Sequence, residues 1–238
     1  MRRIADFDVD DVSECSDVLR GLGGGVPTME GAASRIAKYL YDEFAGDDGA
    51  RALALARVYK THPYEALPPD LQDFVGGILG AAPRPDLRCL TLLGTAGDLP
   101  QWNDRRASEA HQSIPLASEA MVAQLPMVSQ LIEQLGLEVS HVIRPDPQRA
   151  RELSQRTYDV FHVPTALGSP YVPAQDFVRT HAIRSALGFG GMLYTGDFYA
   201  VVLFSKAHVT ADTAQLLKIF SLAVRVPLLA HLRRVFAD

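Results

Sequence analysis

The sequence is poor in the features that define several large protein classes. It has two cysteines, Cys15 and Cys89, which are too few for a disulfide framework and too far apart for a zinc motif. Its 23 Lys and Arg against 28 Asp and Glu give a net charge of −5, without the basic surplus typical of nucleic-acid-binding proteins. Its most apolar run, 216–232, is too short and too interrupted by charge to span a bilayer, and no signal peptide precedes it. We therefore expect a cytoplasmic protein that contacts neither nucleic acid nor membrane directly.

The composition is that of a folded globular protein. The chain has 238 residues, of which 47% are hydrophobic and 21% charged. That length is enough to bury a large core without disulfides or metals. We expect an acidic and glycine-rich N-terminal segment over 1–27 and one domain over 28–238.

Catalytic and cofactor motifs are also absent from the sequence. The glycine-rich stretches 21–25 and 188–191 lack the lysine and spacing of a phosphate-binding loop. The acidic run 6–10 lacks the glycine and the closing glutamate of a calcium loop. None of the seven histidines has zinc-protease spacing, and no nucleophile elbow occurs. Cys89 lies in an apolar strand, which favours a buried, inert thiol. The sequence therefore leaves the cofactor unknown.

Hydrophobic periodicity predicts an α+β fold in which helices pack on a central, mostly antiparallel sheet. We expect a helix over 29–45 with Thr28 as its N-cap, and a helical region between Ser118 and the left-handed cap Gly136, within which Pro126 kinks the helix or starts a new one. A hairpin should join strands over 181–193 and 198–205, and one long C-terminal helix should follow over 210–235. The remaining expected elements are strands over 50–61, 87–93, 114–116 and 158–165, and helices over 71–79 and 174–180.

Most of the chain resembles a GAF domain. The stretches that carry the resemblance are Arg88–Leu93, Ile114–Leu116, Ile183–Leu193, Gly196–Phe204 and the closing helix. The resemblance covers roughly residues 30–235, and its motifs are patterns of apolar strands. It departs from the family over 140–180, which is proline-rich and long. It implies a small-molecule pocket between one face of the sheet and the 140–180 segment.

Eight side chains are candidates for that pocket. His181 would share one face of its strand with Ile183 and Ser185, and it would ligate a haem or hydrogen-bond a small anion. It also fits a hydrogen-bonded structural histidine, and each aromatic candidate also fits the core. The other candidate ligand-binding residues are Trp102, Tyr158, His162, Tyr171 and Phe198.

The C-terminal helix is apolar on more than one side, which predicts that a second copy of the chain covers part of it. We therefore expect a homodimer in which this helix and the helix over 29–45 meet their counterparts. The candidate interface residues are Leu217, Phe220, Val224, Leu228 and Leu232.

These observations predict a cytoplasmic signal-sensing domain. It would bind a small-molecule ligand and signal through dimeric terminal helices, as input modules do, to a histidine kinase, cyclase or transcription-regulator output. Since the sequence contains no output domain, we expect either a fragment of a larger regulator or a protein that acts on a separate partner. One alternative is a dimerisation scaffold without a ligand, and a weaker one is an enzyme that uses His181 and Asp176 for acid–base chemistry.

Overall fold

A six-stranded antiparallel sheet forms the centre of the computed structural model, which describes residues 1–80 and 83–237. The spatial order is β5-β4-β3-β8-β7-β6, so β3 and β8 lie in the middle and pair with each other. A small parallel pair, β1 with β2, lies outside this sheet. The strands are β1 (Arg2–Arg3), β2 (Phe44–Ala45), β3 (Leu53–Pro63), β4 (Arg88–Gly97), β5 (Ser113–Pro115), β6 (Phe161–Val163), β7 (Ser185–Met192) and β8 (Phe198–Ser205).

Helices cover both faces of the sheet, which confirms the predicted α+β class. Helices α1, α2, α9 and α10 pack on one face, and α5 to α8 lie over the other. The helices are α1 (Val9–Gly21), α2 (Met29–Glu43), α3 (Pro69–Leu79), α4 (Glu119–Ala123), α5 (Pro126–Gln134), α6 (Val139–Ile143), α7 (Pro147–Ser154), α8 (Gln175–Thr180), α9 (Ala211–Leu217) and α10 (Phe220–Leu229). Single turns of 3-10 helix add Ile4–Asp6, Tyr64–Ala66, Pro100–Trp102 and Arg105–Ala107.

The two faces of the sheet carry separate cores because successive strand residues point to opposite sides. On β8, Tyr199, Val201 and Leu203 face the first core, whereas Phe198 and Val202 face the second. Helix α2 approaches the first face so closely that a Cβ on Gly94 would lie 2.3 Å from the Ala33 backbone. A glycine at this position is therefore required by the helix–sheet distance.

Several local predictions are confirmed. The Thr28 hydroxyl accepts the Gly31 amide as the N-cap of α2, and the Ser118 hydroxyl caps α4 in the same way. Pro126 starts α5, since its missing N–H costs nothing in a first turn. Gly136 ends that helix with φ +77°, and the β7–β8 hairpin turns at Gly196 with φ +83°.

The C-terminal helix differs from its predicted bounds. It is interrupted at Lys218 and Ile219, where the Ile219 amide bonds to the Leu216 carbonyl in the tighter i−3 pattern. Helix α10 then ends at Leu229, and the following chain turns back along α2, where the Met29 amide donates to the Arg234 carbonyl (2.9 Å). The last residues therefore close the N-terminus of α2 instead of continuing a helix to 235.

Within residues 1–80 and 83–237, none of the helices combines the length and apolarity that a bilayer crossing needs.

Candidate functional site

Two of the eight predicted ligand residues meet in one aromatic cluster. The rings of Trp102 and His181 lie 4.6 Å apart, edge to face, and Phe177 packs against both at 5.6 and 5.3 Å. Phe204, near the end of β8, adds a further edge-to-face contact with Phe177 at 5.1 Å. Such contacts stabilise a fixed arrangement beyond the area that they bury. These ring contacts therefore hold α8 against the end of β8.

His181 does not lie on a strand, so the predicted shared face of His181, Ile183 and Ser185 is wrong. The chain is helical up to Thr180, His181 is the C-cap, and β7 begins only at Ser185. The Ile183 amide donates to the Val178 carbonyl (2.9 Å), which closes the helix end before the strand starts. The apolar alternation that predicted a strand here belongs to this helix end.

Ser185 and His162 fix the loop at Val209. The Val209 amide donates to the Ser185 hydroxyl (3.0 Å), which donates to the Pro164 carbonyl (2.9 Å). His162 Nε2 donates to the Val209 carbonyl (2.9 Å). Burial lowers the pKa of His162, an effect that this hydrogen bond opposes. Both side chains therefore have structural partners that explain their presence.

The remaining aromatic candidates are divided between the core and the surface. Phe198 and Tyr158 are buried in the second core, where the Tyr158 hydroxyl donates to the Leu153 carbonyl (2.6 Å). Burial raises the pKa of Tyr158 to about 12. Tyr171 is exposed. These three side chains are not brought together with Trp102 and His181.

The predicted dimer residues need a correction. Leu217, Phe220, Val224 and Leu228 have no exposed surface because they pack into the first core, and Leu232 packs against the same core. A side chain that is buried in its own chain has no surface left for a second copy. The exposed apolar residues of this segment are Ile219, Leu222 and Val226.

A groove of about 510 Å³ lies next to the aromatic cluster, between the sheet and the segment that precedes β7. We call it the Arg184 groove. Ile183, one of the predicted ligand residues, forms part of its apolar wall. It is lined by Pro164, Thr165, Leu167, Val178, Arg179, Ala182, Ile183, Arg184, Lys206 and His208.

The charge of the Arg184 groove is of one sign. Four of its lining residues are basic, namely Arg179, Arg184, Lys206 and His208, and none of the described lining residues is acidic. Lys206 pairs with Asp98 (3.0 Å) and Arg179 with Asp176 (2.6 Å), both from outside the groove. His208 Nδ1 donates to the Pro164 carbonyl (3.2 Å). Arg184 is therefore the lining cation for which the described residues offer no acidic partner.

The backbone holds the groove in a defined shape. The Arg184 amide donates to the Ser205 carbonyl (2.7 Å), and the Arg184 carbonyl accepts the Ala166 amide (2.8 Å). Ala182 has φ +51°, a left-handed conformation that favours glycine and costs an alanine about 1 kcal/mol or more. Strained residues of this kind are concentrated at functional sites, because the surrounding structure must hold them in place.

Neither cysteine is placed for catalysis. Both are buried free thiols, and burial raises the pKa of Cys89 to about 12, far above that of a reactive thiolate. Over the described ranges, no three His, Cys, Asp or Glu side chains converge in a way that would hold a metal ion.

Sequence reasoning missed the basic residues of the Arg184 groove. Arg184 directly precedes an apolar strand, and Lys206 and His208 lie one and three residues after the end of another. When two antiparallel strands pair, the start of one lies beside the end of the other, so charged residues at those positions come close together. This signal was available in the sequence.

Comparisons with known proteins show one distant structural similarity. No protein-family model matches the chain, and no curated protein matches it either. Among solved structures, the chain is similar to the chromophore-binding domain of Stigmatella aurantiaca bacteriophytochrome, with a TM-score of 0.42 and 9% identity. The alignment covers 94% of this chain and 62% of that one, so the chain spans less than two thirds of that structure. The geometry of the chain itself therefore has to indicate what it does.

Proposed function

We propose that this chain is a GAF-like signal-sensing domain that binds a small anionic molecule in the Arg184 groove. The observation that carries the proposal is the groove's lining of four basic side chains with no acidic residue among the described ones. Arginine and lysine side chains bind carboxylate and phosphate groups through charge-assisted hydrogen bonds. A concave site with an apolar wall and a few polar groups is the usual form of a small-molecule site.

The position of the groove supports a regulatory role. It lies between the sheet and the 164–179 segment, where the resemblance to GAF domains implies a pocket. Lys206 follows β8 directly, and Tyr199 at the beginning of the same strand donates from its hydroxyl to the Ser221 carbonyl of α10 (2.8 Å). One strand therefore joins the groove to the C-terminal helix.

The terminal helices are the elements through which ligand binding would affect an output domain or partner. Helices α1 and α10 pack together, with the ring of Phe7 beside α1 lying 6.1 Å from that of Phe220. A ligand that favours one arrangement of these helices would shift the population of that arrangement. The output that receives the change would be a histidine kinase, a cyclase or a transcription regulator.

The proposed homodimer uses a surface different from the residues first predicted. Ile219, Leu222 and Val226 are 39–48% exposed and lie three and four positions apart, which places them on one face of the helical segment. A second copy would bury this face across a two-fold axis. Size-exclusion chromatography with light scattering tests this: Leu222→Glu should give a monomer, and Val9→Glu, an exposed position in α1, should remain dimeric. A monomeric parent chain would contradict the dimer.

Titration calorimetry with succinate and with inorganic phosphate tests the ligand site. The parent chain should bind at least one of these anions, and Arg184→Gln should weaken that binding by a factor of about ten, the equivalent of one lost charge-assisted contact. Arg151→Gln, an exposed position on α7, serves as the matched control and should bind as the parent does.

Two results would contradict the ligand site. Equal affinity in Arg184→Gln and the parent would show that the anion binds elsewhere. The absence of binding for either anion, combined with an intact dimer, would favour the alternative of a scaffold without a ligand.

A further inference from the structure

A chain of polar side chains is buried at the opposite end of the sheet from the Arg184 groove. Asp197, in the β7–β8 hairpin, accepts from Arg88 Nη1 on one oxygen (2.7 Å) and contacts Lys60 Nζ with the other (2.8 Å). The Lys60 ammonium also lies 3.5 Å from Nδ1 of His62. Lys60 and His62 are each only 3% exposed. The central strand β3 therefore carries two titratable side chains inside the protein.

The charges of this chain do not balance. Lys60 and Arg88 are both cations, and in the described structure their ion pairs end on the same carboxylate, that of Asp197. His62 adds no negative charge, and burial together with its cationic neighbours lowers its pKa well below the usual value. With Lys60 protonated, the two cations exceed this one carboxylate by one positive charge, and the side chains of Lys60 and Arg88 are only 4% and 17% exposed. An uncompensated charge is costly in such surroundings.

Arg88, one of the two cations, also lines a second groove. The groove has a volume of about 560 Å³ and lies between the start of β4, the β5–α4 connection and the end of α6. We call it the Arg88 groove. Its other charged residues pair locally: Arg144 with Glu119 (2.8 Å) and Arg84 with Asp86 (3.4 Å). Arg88 is thus the cation whose partner is already shared.

The rest of the Arg88 groove is suited to an apolar group. Leu79, Leu87, Leu116 and Ile143 line it beside Arg88. A ligand that satisfied both features would have one negative charge for Arg88 and an apolar body for this wall.

We propose that the Arg88 groove binds a small organic monocarboxylate, whose carboxylate pairs with Arg88 and whose apolar part lies on the leucine and isoleucine wall. The bound carboxylate supplies the negative charge that Asp197 cannot supply to both cations. This site is independent of the Arg184 groove, because β8 separates the two by its length of roughly 25 Å.

The test is a calorimetric and thermal-shift titration of the full chain with hexanoate, with hexanamide as the uncharged analogue and inorganic phosphate as the anion without an apolar body. Hexanoate should bind and raise Tm, and the other two should do so at least tenfold more weakly. Arg88→Gln should reduce hexanoate affinity at least tenfold. Arg151→Gln, at an exposed position of α7 that does not line this groove, should stay within twofold of the parent chain.

Lys60→Met gives a second and independent readout. It removes the competing cation, leaves Asp197 entirely to Arg88, and should therefore weaken hexanoate binding severalfold although Lys60 does not line the groove. It relieves the charge imbalance, as Arg88→Gln also does, so both variants should fold. If Arg88→Gln failed to fold, Lys60→Met alone would decide.

Three outcomes would overturn the proposal. Equal binding of hexanoate and hexanamide would show that charge plays no part, and equal binding of phosphate would remove the apolar wall from recognition. Unchanged hexanoate affinity in Lys60→Met and in any folded Arg88→Gln protein would show that the buried surplus charge does not drive binding.

Discussion

The two ends of the central sheet hold the same kind of ion pair in opposite surroundings. At one end, Lys206 and Asp98 pair with side chains that are 32% and 30% exposed. At the other end, Lys60 and Asp197 pair with side chains that are 4% and 13% exposed, and Arg88 shares the same carboxylate. Water screens the first pair, whereas the protein interior makes the second sensitive to every missing or surplus charge. Similar residues therefore form a solvent-accessible ion pair at one end and a largely buried network with one shared carboxylate at the other.

The largest contrast is expected when each carboxylate is neutralised. Asp197→Asn would leave Lys60 and Arg88 without their shared counter-charge and should lower the free energy of unfolding by about 3–5 kcal/mol. The matched change Asp98→Asn should cost less than about 1 kcal/mol, because Lys206 stays hydrated. Urea unfolding followed by the fluorescence of the single tryptophan, Trp102, measures both. An equal loss of unfolding free energy in Asp197→Asn and Asp98→Asn would show that the two ion pairs do not differ in this way.

Replacing the lysine should change the free energy of unfolding at the buried end and leave it almost unchanged at the exposed end. Burial lowers the pKa of Lys60, although the Asp197 carboxylate opposes this shift, so the charged form is disfavoured in the folded protein. Lys60→Met should therefore raise the free energy of unfolding by about 1–2 kcal/mol. Lys206→Met should change it by less than about 0.5 kcal/mol. A destabilised Lys60→Met protein would show that Lys60 stabilises the fold, against this account.

The buried end should also give the protein a pH dependence. The pKa of His62 is lowered well below 6.5 by burial and by the positive charges of Lys60 and Arg88, while the Phe236 ring packs at 5.2 Å on the other side. Below about pH 6.5 the unfolded chain takes up a proton at this residue and the folded chain does not, so stability falls as pH falls. The contribution approaches about 1.4 kcal/mol per pH unit.

Unfolding free energies at pH 7.5, 6.5 and 5.5 test this in the parent chain and in His62→Gln. The variant should lose less stability between pH 6.5 and 5.5 than the parent chain does. The same slope in both proteins would mean that His62 takes up its proton in the folded state as readily as in the unfolded one.

A further contrast concerns one left-handed residue at each end. Ala182→Gly should stabilise the protein by up to about 1 kcal/mol, because glycine adopts φ +51° without strain. Gly196→Ala should destabilise it by about 1–2 kcal/mol, since φ is +83° and a Cβ would lie 2.9 Å from that of Pro145. Thermal unfolding measures the stability of both variants. A destabilised Ala182→Gly protein would show that the backbone of Ala182 is not strained.

Local signals in the sequence predicted most elements because caps and prolines act within a few residues. Thr28, Ser118, Pro126 and Gly136 begin or end helices as expected. Strand pairing and burial depend on residues far away in the sequence, so the predictions of which side chains are buried were less accurate. The apolar stretch after Thr210 was expected to be one helix with a dimer face, yet its largest side chains fill the chain's own core.

The candidate site was predictable only in part. Trp102 and His181 were expected in one place and do meet, although through a helix end instead of a shared strand face. The basic residues of the Arg184 groove meet because the start of β7 lies beside the end of β8, a consequence of the predicted hairpin that was not drawn from the sequence. Lys60 and His62 were detectable as titratable residues inside an apolar strand. The carboxylate that pairs with Lys60, that of Asp197, lies 137 residues further along the chain, so the sequence did not show the pair.

The most direct test of the sensing account is to map anion binding by amide NMR of the isotopically labelled full chain titrated with succinate. The account predicts saturable shifts of the amides of Ile183, Arg184, Lys206 and His208, with smaller shifts along β8 toward α10, and none of these shifts in Arg184→Gln. Saturable shifts confined to other parts of the chain, or identical shifts in Arg184→Gln, would contradict it.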